Sequence, residues 1–71
     1  MHSFGRGDII TSTTLWGTTS FLVLDIKTTH DTLPHAIEYY LLQNLEHYEP
    51  EARGKIYELA TFLIDARFQH K

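Results

Sequence analysis

The stretch from Pro50 to Phe68 constrains this chain most. At about 100° per residue, Ala52, Ile56, Leu59, Ala60 and Leu63 fall on one stripe. Phe62 and Ala66 widen it on one side, and Tyr57, Ile64 and Phe68 on the other. Only Glu58, Thr61, Asp65 and Gln69 gather into a polar strip. The spacing predicts a helix over about residues 50–69 whose apolar arc covers roughly two thirds of its circumference, more than one small domain can hide.

Seventy-one residues make one domain. A chain of that size buries only about 60% of its unfolded surface, so its core is marginal without a staple. The sequence has no cysteine, which removes disulfides, thiolate metal sites and cysteine nucleophiles together. Self-association is the staple that remains, and a homo-oligomer, dimer or higher, is the expectation. Phe21, Val23, Tyr57, Phe62, Ile64 and Phe68 are its candidate interface.

Upstream of the helical half the chain reads as β. Ile9, Ile10 and the Thr-Ser-Thr-Thr run favour a strand, and Gly17 after Trp16 supplies a turn. Thr18 to Ile26 is again rich in strand formers, giving a hairpin over about residues 8–27. Phe21 and Val23 point to one face of its second strand, and Leu22, Leu24 and Ile26 to the other, a pattern of burial on both sides. Pro34 sits well in a first helical turn after Asp31 or Thr32. A first helix is expected over about 33–48, with Leu33, Ala36, Ile37, Tyr40, Leu41, Leu45 and Tyr48 inward and Tyr39 and Leu42 outside the packed face. Glu49-Pro50 then breaks the chain. The expected fold is α+β: an N-terminal antiparallel β-hairpin packed on a C-terminal antiparallel two-helix hairpin, one domain over 1–71.

The run Arg6-Gly7-Asp8-Ile9-Ile10, then Gly17, then Leu22-Val23-Leu24 resembles the first hairpin of small SH3-like barrels, and toxin endonucleases of the MazF/PemK type open in a similar way. The resemblance spans residues 6–26. The Arg-Pro pair that precedes the second strand in those toxins is absent, and the helical reading departs from them where they continue as sheet. Endonuclease activity is not among its implications.

Charge narrows the function classes. The formal net charge is −3. Residues 1–30 balance Arg6 and Lys27 against Asp8 and Asp25, while residues 31–71 carry seven acids against four bases. No basic stripe exists to track a nucleic-acid backbone. The longest apolar run, Phe21 to Leu24, is far short of the roughly 20 residues of a membrane helix. No secretory signal is visible at the N-terminus, and the chain reads as cytoplasmic.

No motif points to catalysis: Gly-x-Ser-x-Gly, a phosphate-cradling glycine loop and His-Glu-x-x-His are all missing. His30, Asp31, His35 and Glu38 are the residues a metal would draw on, but their spacing matches no signature, so no metal or cofactor is assigned. Arg6-Gly7-Asp8 spells an adhesion tripeptide, in a chain that shows no sign of export. The expected function is a non-enzymatic binding or accessory protein that occupies a protein partner through Tyr39, Leu42 and Glu46. Asn44, near the middle of the inner face of the expected first helix, would need a polar partner if buried. The alternative is sequestration of a small anionic or nucleotide-like ligand by Arg6, Trp16, Thr18 and Thr19, with a His-based metal hydrolase behind both.

Overall fold

A computed structural model describes residues 3–29 and 37–71. It replaces the expected helical hairpin with sheet. Strands β1 (Ile9–Thr14), β2 (Gly17–Thr29), β3 (Ile37–Glu46), β4 (Ile56–Ala60) and β5 (Gln69–His70) form one antiparallel sheet in the order β4-β3-β2-β1-β5. Among the described residues one α-helix, α1 (Thr61–Arg67), joins β4 to β5. The fold is therefore mainly β, and the α+β class is corrected. The sheet is a meander whose last strand returns to β1, so β4 and β5 lie at opposite edges.

The reason lies in β3. Its sequence Ile-Glu-Tyr-Tyr-Leu-Leu-Gln-Asn-Leu-Glu is apolar at helical spacing, but Tyr40, Leu42 and Asn44 also alternate, and it is these three that are buried. Leu42, off the packed face of the expected helix, sits in the core. Paired on both sides by β2 and β4, the segment gains more as a central strand than its leucines and glutamate favour as a helix. The second expected helix fails at Gly54, whose φ of +83° is a left-handed turn conformation. The Gly54 N–H donates to the Asn44 carbonyl and the Asn44 N–H to Lys55, 2.8 and 2.9 Å, closing a β3–β4 hairpin around a 3-10 turn at Pro50–Ala52. Helix remains only for seven residues.

Two bulges set which side chains face inward. Leu45 is skipped between the Ser20–Glu46 and Phe21–Asn44 pairs, and Leu24 between Val23–Leu42 and Asp25–Leu41. The second bulge shifts the phase of β2, so Ile26 packs against the core with Phe21 and Val23 instead of joining Leu22 and Leu24. Phe4, Ile10, Phe21, Val23, Tyr40, Leu42 and Ile64 form the core, between the inner sheet face, α1 and the N-terminal arm. Leu33, Pro34 and Ala36 of the expected first helix lie outside the described residues.

The inward placement of Leu42 has a measurable consequence. Leu42→Ala is expected to lower stability by about 2–5 kcal/mol in urea unfolding, the cost of a core cavity. Leu15→Ala, at the hairpin tip, is expected to stay within about 0.5 kcal/mol of wild type.

Candidate functional site

Seven helical residues cannot hold themselves together in water, so α1 depends on what fastens it. Ile64 is buried under it, and Asp65 meets the Tyr40 hydroxyl, which donates to Oδ1 at 2.6 Å. The Tyr40 hydroxyl oxygen accepts the N–H groups of Ser3 and Phe4 at 3.1 and 3.0 Å, and the Ser3 N–H is shared with the Asp65 carboxylate at 3.2 Å. One buried tyrosine thus ties the N-terminal arm and α1 to the centre of the sheet.

Beyond this clamp, α1 stands off the sheet and leaves a cup of about 530 Å³, within the usual range for small-ligand sites. Phe21, Asn44, Tyr57 and Leu59 supply its floor; Leu63, Ile64, Arg67 and Phe68 its roof; Ser12, Thr14, Thr19 and His47 the remaining wall. Alternation explains the selection: Ser12 and Thr14 of β1 and Thr19 and Phe21 of β2 all project to the inner face. Phe21 meets Tyr57 edge-on at 5.9 Å between centroids and Phe68 at 5.5 Å, so three rings in contact run from floor to roof.

Asn44 is the polar feature of that floor. Its Nδ2 donates to the carbonyls of Glu46 and Ser20 at 3.2 and 3.4 Å. Two carbonyls fix the amide orientation, because the flipped amide would set oxygen against oxygen. Oδ1 is buried and has no hydrogen-bond partner. Leaving a buried acceptor unpaired costs about 1–3 kcal/mol. Near the rim, the His47 ring stacks on Tyr48 at 4.2 Å, and its Nδ1 accepts the Glu49 N–H at 2.9 Å, which makes Nε2 the protonated nitrogen of the neutral ring.

The residues singled out from the sequence are scattered by the sheet. Thr19 lines the cup, whereas Thr18 faces the other side beside Thr13, Trp16 is at the β1–β2 tip and Arg6 lies exposed before β1. Tyr39 and Glu46 are on the outer face but Leu42 is in the core, so the three do not form one surface. Phe21, Val23 and Ile64 are core residues, Tyr57 and Phe68 flank the cup, and Phe62 stands exposed on α1. Asp8 accepts the Gly5 N–H at 2.8 Å and contacts His70 Nε2 at 3.1 Å, so its carboxylate is engaged internally. Those bonds, the Gly5 N–H first, hold its carboxyl below the usual carboxylate range. His30, Asp31 and His35 lie outside the described residues, and no metal-binding group of three is found among those described. Sequence reasoning missed Leu59, Leu63 and Arg67 as neighbours, since only the sheet brings them together.

Comparison with known proteins finds no family model, no curated protein and no solved structure that matches the chain.

The clamp is testable through its titration. Burial first, then the hydrogen bond to Asp65, push the Tyr40 hydroxyl from the ordinary 10.0 up to about 12. The folded state favours the neutral phenol, so this contribution to stability is complete below pH 10 and is lost as pH rises towards about 12. Unfolding free energies of wild type minus those of Tyr40→Phe are expected to fall across that window; a difference that stays flat there refutes the assignment.

Proposed function

We propose that this is a non-enzymatic binding protein whose cup holds the apolar, ring-sized body of a small ligand. The observation that carries the reading is a 530 Å³ recess lined by the rings of Phe21, Tyr57 and Phe68, with Asn44 among its few polar residues. Recesses of this kind, apolar with a few placed polar groups, are the usual form of small-molecule sites. Arg67 on the rim gives an anionic group of the ligand a counter-charge, and the Ser12 and Thr19 hydroxyls give it polar contacts. The working unit is taken to be an assembly of copies of this chain, through a surface separate from the cup. No helix among the described residues is long and apolar enough to cross a membrane.

A second reading, capture of a protein partner, has its own support. Leu15 is 99% exposed and Trp16 75% exposed on a two-residue turn, and exposed tryptophan is enriched among residues that anchor protein interfaces. Trp16 is the single tryptophan of the chain, so its fluorescence reports on the tip alone.

A thermal-shift screen of aromatic carboxylates and nucleoside monophosphates separates these readings. A cup ligand is expected to raise the melting temperature saturably, by about 2.7 kcal/mol of stability at a hundredfold excess over Kd, without moving Trp16 emission. Thr19→Phe, which fills the cup, is expected to abolish the rise. A rise that survives Thr19→Phe, or an emission shift with no rise, rejects the cup as the site.

A further inference from the structure

The outer face of the sheet is unlike that of a sheet meant for water. Where one face of an antiparallel sheet is solvated, its outward positions are polar. Here the outward positions of the two central strands carry Leu22 and Leu24 on β2 and Leu41 and Leu45 on β3, flanked by Ile9 on β1 and Ile56 on β4. Ile9–Leu22–Gln43–Ile56 is one continuous row across four strands. Both bulges deepen the pattern, because the residue each inserts is a leucine on this side. Leu45 is 45% exposed and Ile56 59%.

The geometry points to a second copy of this chain as the occupant, packed face to face in a homodimer. The rim is one argument. A Lys27–Glu58 pair at 3.5 Å marks one end of the face and a Lys71–Glu46 pair at 3.8 Å the other. Asp25, which accepts the Ile26 N–H at 2.8 Å, adds one further carboxylate. Each end therefore presents both signs around an apolar centre, the anatomy of an interface core with a polar rim. Such a rim selects neither a basic nor an acidic stranger, whereas a two-fold axis sets the lysines of one copy against the glutamates of the other. Area is the second argument. The five strands hold 36 residues, which at about 3.3 Å by 4.8 Å each make a face on the order of 600 Å², comparable with the roughly 800 Å² that each partner contributes to a standard stable interface. The dimer uses the side of the sheet opposite the cup and does not rest on the ligand reading.

Light scattering on the eluting full-length chain is expected to give twice the 8.3 kDa chain mass at micromolar concentration. Ile56→Glu and Leu45→Glu, each at an exposed position, are expected to weaken the dimer about 100-fold, with the wild-type circular dichroism spectrum retained. Phe62→Glu, exposed on α1 and off this face, is expected to leave the mass unchanged. If either outer-face variant loses its fold, the dependence of wild-type melting temperature on protein concentration takes its place, since a dimer melts higher as it is concentrated. A monomer at every concentration overturns the proposal, and so does a dimer that survives both outer-face substitutions or is broken by Phe62→Glu.

Discussion

The Tyr40 hydroxyl is the point at which three separate parts of the chain meet. It donates to Asp65 on α1 and accepts from Ser3 and Phe4 of the N-terminal arm, while its ring is buried in the central strand β3. Each partner segment has few other ties: α1 has only two turns with Ile64 in the core, and the arm is held to β2 by the Gly7 N–H, which donates to the Val23 carbonyl at 2.8 Å. Phe4 completes the contact by packing its ring 5.9 Å from that of Tyr40 and 4.9 Å from His70 of β5. One side chain thus couples the sheet centre to both of the elements that cover its inner face.

The cup is a consequence of where this clamp sits. Asp65 lies in the last turn of α1, and Phe68 just beyond it reaches Phe21, with the Phe68 N–H donating to the Ile64 carbonyl at 2.9 Å as the helix closes. Fastened by this turn and by the buried Ile64, the helix covers the sheet without filling the space beneath it. Asn44 lines that space, and β3 already uses its backbone for the hairpin with β4. Rigid strands on the floor and a short tethered helix as the roof make a site whose shape is largely set before anything binds.

The first hairpin was legible because its signals agree: β-branched residues, Gly17 as a turn, and no competing helical spacing. It stands as β1 and β2. The second half was not legible for a definite reason. Residues 37–46 and 56–68 are apolar on both sides, and a segment greasy on every side satisfies a 3.6-residue period and a two-residue period alike. Propensity then tipped the reading to helix, since Leu, Glu and Gln favour it locally, and long-range pairing overrode that preference. Gly54 was the discriminating residue, because a turn conformation fits it better than a helix interior. In the candidate site, Thr19 was visible as one of many threonines and Asn44 as an amide that needs partners once buried. Arg67, Leu63 and Leu59 were invisible as a group, because their proximity to Phe21 exists only once β3 and β4 pair. That Ile9, Leu22, Leu41 and Ile56 share one sheet face followed only from the pairing of β1 to β4.

Hydrogen exchange of Tyr40→Phe tests the central claim most directly. Loss of the hydroxyl is expected to strip protection from the amides of Phe4 and Phe68 while those paired between β2 and β3 remain protected, because the sheet holds without the clamp and its cover does not. Equal protection in variant and wild type at Phe4 and Phe68 would contradict the account.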